Sequence, residues 1–263
     1  MHLGYFNGKR SGSPELARRD LMKFGVGGAM FAASAGLAGC ALAQDAPAPA
    51  APSSGLVIPP SSKATPGFKG SGPMDMSTGE DWIDTFFTGG AAEIIHYYAD
   101  EFVFEDITLF EAIQTKEELY RAFLPFNNGG PDAPTGVHQF DVIRYDGGSA
   151  QGTVTDFRDA APEGYTQAEW DEWTRDAKLG RGYERDEWGV MQWVWKAKHN
   201  SDFLGLPAAG KTTHCRGTTF HSYKNRKIVR EYTSWEFRSV AIQLGAAEPQ
   251  LRFWEAGFKM PGA

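Results

Sequence analysis

Residues 212–237 read TTHCRGTTFHSYKNRKIVREYTSWEF. Thr212 to Tyr223 and Lys227 to Phe237 are rich in β-branched and aromatic residues, and Lys224-Asn225-Arg226 lies between them, so the stretch predicts an antiparallel hairpin. Strand alternation puts Arg230, Tyr232, Ser234 and Glu236 on one face of the second arm, with Trp235 and Phe237 on the other. On the first arm the odd spacing of His214 and His221 points them to opposite faces.

Working outward, Val190 to Lys198 predicts a Trp-rich strand carrying Trp193 and Trp195. Val137 to Arg144 alternates His138, Phe140 and Val142 with Gln139, Asp141 and Ile143. Asp146-Gly147-Gly148 then reads as a turn, with Ala150 to Arg158 returning as a further hairpin arm. Phe102 to Ile107 is a short strand. Helix starts carry capping boxes at Ser77/Glu80, Thr115/Glu118 and Thr166/Glu169, where a hydroxyl accepts a free N–H of the first turn and an acid reaches back. Gly89-Gly90 breaks the first helix, and Ala91 to Ala99 forms another. Helices first, then mostly antiparallel strands, predict an α+β fold with a curved sheet wrapped on helices. The third capped helix, Trp170 to Leu179, carries Trp170 and Trp173 on one face.

The N-terminal third has another character. Arg18-Arg19-Asp20-Leu21-Met22-Lys23 precedes an uncharged run from Phe24 to Ala38, and residues 1–39 look like a twin-arginine export signal. Leu37-Ala38-Gly39-Cys40 resembles a lipobox, which makes Cys40 a lipidation site and a membrane attachment. Ala41-Leu42-Ala43 offers ordinary cleavage before Gln44 instead. Both routes imply a periplasmic protein. Residues 40–74, rich in Pro, Ser and Gly, read as a linker, and residues 75–263 as the working domain.

The net charge is −7. Five basic residues fall in the leader (Lys9, Arg10, Arg18, Arg19, Lys23) against Glu15 and Asp20, so the remainder is more acidic still. An acidic body without a basic run repels a phosphate backbone, which excludes nucleic acid as a partner. Of two cysteines, Cys40 falls at the processing site just after the leader, and Cys215 reads as a buried structural thiol. Eight Trp point to a ring-lined pocket or an interface, or equally to a core built with Trp.

The stretch Lys198-His199-Asn200-Ser201-Asp202-Phe203-Leu204-Gly205-Leu206-Pro207-Ala208-Ala209-Gly210-Lys211 resembles the "THxGxFxGxPPTGK" segment of the SnoaL-like polyketide cyclase family. Asn225-Arg226-Lys227-Ile228-Val229-Arg230-Glu231-Tyr232 is similar to its "dGKIvexw", and Gln243-Leu244-Gly245 to its terminal "QLG". The resemblance implies the nuclear transport factor 2-like cone, a curved antiparallel sheet closed by N-terminal helices, in a chain that usually pairs as a homo-oligomer. Three departures stand out. Glu236 replaces the family's aspartate, Arg226 replaces a turn glycine, and residues 159–189 are extra.

The resemblance makes Glu236 the first catalytic candidate, since a carboxylate desolvated in an apolar cone becomes a usable proton carrier. His138 is the second, as a neutral imidazole that takes a proton or helps a hydroxyl leave. Tyr98, Asp106, Trp193, His199, His214 and Tyr232 are candidate substrate-binding groups. The facing of the histidines disfavours a metal site. With no phosphate-cradling glycine loop and no G-x-S-x-G elbow, no cofactor is expected. The expected activity is a lyase that eliminates water or formaldehyde from a hydrophobic, aromatic or polycyclic, oxygenated small molecule. A cyclase or isomerase, or a non-catalytic envelope module holding a lipophilic ligand, are the alternatives. The inserted helix is either a lid or an interface.

Overall fold

A computed structural model describes residues 57–64, 66–69, 74–126, 133–153 and 157–249. The paired arginines, Cys40 and the cleavage sites lie outside these residues. In chain order the elements are α1 (Met76–Gly89), α2 (Ala91–Ile94), β1 (Tyr98–Asp106), β2 (Glu111–Ile113), α3 (Lys116–Phe123), β3 (Gly136–Thr153), α4 (Gln167–Thr174), β4 (Glu184–His199), β5 (Thr212–Lys224), β6 (Lys227–Trp235) and α5 (Phe237–Gln243). The fold is α+β, with six strands in the order β2-β1-β6-β5-β4-β3. Apart from Leu204–Leu206, between β4 and β5, the described residues fall in one unit.

The sheet is mixed where an antiparallel one was expected. Hairpin logic orders β3 to β6, each antiparallel to the last, but β1 lies parallel to β6, with Glu105 opposite Tyr232. The β5–β6 hairpin forms as expected, about a two-residue turn. Asn225 (φ 50°) and Arg226 (φ 61°) both adopt the left-handed backbone that such a turn requires. Arg226 thus takes in its own conformation what a glycine takes freely.

The expected turn at Asp146-Gly147-Gly148 is absent. β3 runs straight through it, and Gly147 and Gly148 pair with Gly189 and Trp188. Gly147 serves close approach: a methyl on it would collide with Met74 and with the Trp188 carbonyl. The capping box at Thr166 forms with Glu169, and Thr115 caps α3. At α1 the cap is Asp75 rather than Ser77, with Thr78 completing the box. The second helix is shorter than expected. It gives way to a single 3-10 turn over Ile95–Tyr97, and Tyr98 already belongs to β1.

One sheet face carries the core. Met191, Trp193, Trp195, Ala197 and His199 alternate along β4, and Thr213, Thr219, His221 and Tyr223 along β5, all buried. Trp82 and Phe86 of α1, Ile94 and Ile95, and Leu119 and Phe123 of α3 supply the helical side. Gly79 lets α1 approach the sheet closely, because a side chain there would overlap the Tyr145 ring.

The inserted segment lies on the other face. Arg230 Nη1 donates to the Leu179 carbonyl at 2.8 Å, its guanidinium pairs with Glu105, and Gly180 sits close to Val103. The insertion therefore covers the outer side of β1 and β6 and is not a lid over the helix-covered face. Trp173 stays 66% exposed, so the two rings are not both buried within the chain.

Residues 57–64 and 66–69, read from composition as tether, pack on this unit. Phe68 meets Tyr97 and Tyr223 edge-on at 4.9 and 5.3 Å. Glu93 accepts from Ser61 and from the Ser62 N–H, and Lys63 Nζ donates to Tyr97 and Thr85. The packed structure thus begins before the expected boundary at residue 75.

Candidate functional site

The covered sheet face gathers most of the polar candidates, though not the first one. β6 ends at Trp235, and Glu236 becomes the cap of α5. Its carboxylate is 48% exposed and meets Arg216 at 3.2 Å. The expected desolvated carboxylate is therefore a surface ion pair. The alternation along β6 is as expected, but the face with Arg230, Tyr232 and Ser234 is the outer one. Tyr232 is 37% exposed. His214 is also exposed on the outer face, where Gln243 holds its backbone N–H and carbonyl at 3.0 and 2.7 Å. That clamp gives the glutamine of the QLG motif a structural task. Glu236 and His214 line an outer trough of about 560 Å³ with Lys196, Arg216 and Asp141.

Inside, β6 presents Glu231, Thr233 and Trp235. Glu231 is buried, accepts a hydrogen bond from the Tyr98 hydroxyl, and stands 3.2 Å from His221 Nε2. Burial first, and the charge of Glu231 second, hold the Tyr98 hydroxyl well above the usual phenol range, so it stays a donor. The next pair in the ladder is Thr219 and Thr233, whose hydroxyls meet at 2.9 Å; Thr219 also accepts from Trp193 Nε1 at 2.9 Å. Gly217 admits that indole, since a methyl there would overlap it.

Asp106 lies at the end of β1. It accepts from Trp235 Nε1 at 2.8 Å and from the backbone N–H groups of Thr108 and Leu109 at 2.8 and 3.1 Å. Burial pushes its pKa up against these bonds, and the charge of Glu231 adds to the rise. Glu111, opposite Asp106 in β2, is raised as well, by burial first and by Asp106 second. A raised carboxyl holds its proton closer to neutral pH and can give it to a leaving group.

Beyond Trp235, Trp195 stands 6.0 Å away ring to ring and donates from Nε1 to His138 Nδ1 at 3.2 Å. That bond fixes the tautomer: Nδ1 is the acceptor, so the proton of the neutral ring is on Nε2. Burial lowers the His138 pKa to about 4, with His199 adding to the fall. His199 is held at Nε2 by Thr213 at 2.8 Å, and burial lowers its pKa too. The two imidazoles meet edge-on at 6.1 Å, with Phe126 and Phe203 on His138. Cys215 is buried, and burial pushes its thiol up to about 12, which removes it as a nucleophile.

The structure thus brings Tyr98, Asp106, His138, Trp193 and His199 to one face, and leaves Glu236, His214 and Tyr232 off it. It adds Glu231, His221 and Glu111. Alternation separates the Glu236 face from the Trp235 face, but nothing in the spacing says which of them is covered. No group of three or more His, Cys, Asp or Glu among the described residues is arranged to hold a metal ion.

No family model and no curated protein matches the chain. Solved structures do. TsrD from Streptomyces laurentii is 10% identical, with a TM-score of 0.41, over 64% of this chain and 92% of that one. A protein with a ketosteroid isomerase-like fold from Catenulispora acidiphila, in complex with trimethylamine, is 10% identical with a TM-score of 0.38, over 63% and 90%. A protein classed among SnoaL-like polyketide cyclases, from Jannaschia sp. CCS1, is 13% identical with a TM-score of 0.39, over 69% and 100%. Such distant likenesses decide nothing about chemistry, so the α+β assignment rests on the chain's own curved, mixed six-stranded sheet with α1 and α3 packed on one face.

Proposed function

We propose that the chain is a cofactor-independent acid/base enzyme, a lyase that eliminates water or formaldehyde from an aromatic, oxygenated small molecule. The observation that carries the reading is the placement of two buried carboxyls, Asp106 and Glu231, on one tryptophan-rich sheet face in different environments. Asp106, raised by burial, is the acid. Glu231, which accepts the Tyr98 hydroxyl, is the base. His138 offers Nε2–H as a fixed neutral donor.

In dehydration, the base takes a C–H proton, a C=C bond forms, and the departing hydroxyl leaves as water with the proton of Asp106. In loss of formaldehyde, the base takes the proton of a terminal hydroxyl and the C–C bond to that carbon breaks. The released electron pair forms the alkene as the neighbouring benzylic hydroxyl leaves, protonated by the acid. Trp193, Trp195 and Trp235 supply flat apolar walls for the aryl groups. The same pair serves a cyclase or isomerase when the proton returns to the substrate, and the products separate these outcomes.

The test is turnover of aryl-propanoid alcohols by the purified protein, followed by alkene absorbance and formaldehyde release. Asp106→Asn and Glu231→Gln should each lower kcat at least a hundredfold, in the range of general acid–base contributions, while Glu236→Gln leaves it unchanged. Saturable binding without product, indifferent to all three substitutions, would establish the non-catalytic module instead. We further propose export through the 1–39 leader to the periplasm, attachment through a lipidated Cys40, and pairing as a homo-oligomer. Mass spectrometry of the native N-terminus tests the anchor, and an unlipidated start at Gln44 rejects it.

A further inference from the structure

Three buried nitrogens make no hydrogen bond: Trp82 Nε1 on α1, and Nδ1 and Nε2 of His221, the neighbour of Glu231, on β5. The rings lie 6.2 Å apart, tilted by 39°. His221 Nε2 stands 3.2 Å from the Glu231 carboxylate, yet the ring is turned so that an N–H there does not point along that line. Buried polar groups in folded proteins are nearly always paired, so three together call for a missing partner.

The chemistry of the three atoms narrows that partner. An indole N–H only donates, and a neutral imidazole donates from one nitrogen and accepts at the other. A carbonyl oxygen would answer the donors and leave the imidazole lone pair bare. An ammonium group would answer the lone pair and oppose the indole N–H. A hydroxyl answers both, since it accepts from Trp82 while giving its own proton to His221 or to Glu231.

We propose that Trp82 and His221 form a receptor for a hydroxyl oxygen beside Glu231. The oxygen comes from an alcohol substrate or from a bound water. The inference rests on the acid/base reading for its purpose, because a hydroxyl there is the one whose proton Glu231 would take. Its existence as a binding site does not depend on turnover.

The test uses the full chain labelled with 15N at tryptophan and histidine side chains, with benzyl alcohol as the probe and toluene as the control that lacks the hydroxyl. Loss of a signal in Trp82→Phe identifies the Trp82 indole. Benzyl alcohol should bind saturably, move that indole signal and a His221 ring nitrogen, and bind about tenfold more weakly to Trp82→Phe or His221→Phe, the loss of one hydrogen bond. If water is the occupant, the free protein already shows a hydrogen-bonded Trp82 N–H in contact with a long-lived water, and benzyl alcohol leaves it in place. An unbonded indole N–H that responds to neither probe overturns the receptor, as does an equal response to toluene. Asp106→Asn separates the two readings, for it should abolish turnover and leave benzyl alcohol bound at Trp82.

Discussion

His138 shows how much one buried side chain can say about the conditions the protein tolerates. Its neutral form is required by the bond it accepts from Trp195 Nε1, and burial lowers its pKa from 6.5 to about 4. The unfolded chain regains the ordinary value, so between about pH 6.5 and about pH 4 the unfolded state binds a proton that the folded state refuses. The contribution is present above pH 6.5 and is lost as pH falls toward 4, an effect on the order of 3 kcal/mol. His199 acts in the same direction. Asp106 acts in the opposite one: its raised pKa favours the folded state as pH falls through the window above its ordinary value of 3.8. Denaturant unfolding of wild type and His138→Gln across pH 4 to 7.5 isolates the histidine. The wild-type chain should lose stability on acidification more steeply than the variant. Equal slopes would mean that the ring is already charged in the folded state, and the fixed tautomer would fall with it.

At the scale of the element, the covered face of β5 is built around an absence of side chain. Gly217 pairs with Trp235 on β6, and the Trp193 indole of β4 lies over it. Gly217→Ala would place a methyl inside that ring, so the indole must tilt and lose its bond to Thr219. The expected cost is about 2–4 kcal/mol, as for an overpacked core with one broken buried hydrogen bond. Urea unfolding would show it, and a cost under about 0.5 kcal/mol, typical of a surface change, would show that the indole is free to move. The same strand explains what could be read in advance. The odd spacing of His214 and His221 separated an outer from an inner histidine, and the capping threonines Thr115 and Thr166 marked real helix starts, because both depend on local geometry alone. Gly147 and Glu236 misled for different reasons. Gly147 answers to distant partners, making room for Met74 and Trp188, whereas β6 stops short of Glu236 as the chain turns into α5. Glu231 was passed over because alternation gives two faces and does not say which one the helices cover.

For the whole molecule, the boundary between tether and fold is the property that composition hides most. Pro, Ser and Gly between residues 45 and 73 solvate a chain when nothing binds it, yet two charged residues of the folded unit grip this segment, and a lysine within it reaches back. Glu93 takes Ser61 and Ser62, Lys227 donates to the carbonyls of Pro66 and His96, and Lys63 reaches back to Tyr97 and Thr85. Phe68 adds the apolar anchor. Its ring closes on Tyr97 and Tyr223, and Tyr223 in turn bonds the Tyr145 hydroxyl and neighbours His221 at 5.5 Å. Removing that ring strips contacts from the wall behind the Glu231 cluster. Phe68→Ala should therefore cost about 3–5 kcal/mol, the usual range for a buried phenylalanine. A chain beginning at Asp75 should lose more, since the polar grips go as well. Both changes should lower the urea midpoint without altering the cooperativity of unfolding. A chain starting at Asp75 as stable as one starting at Val57 would return the whole of residues 57–74 to the linker.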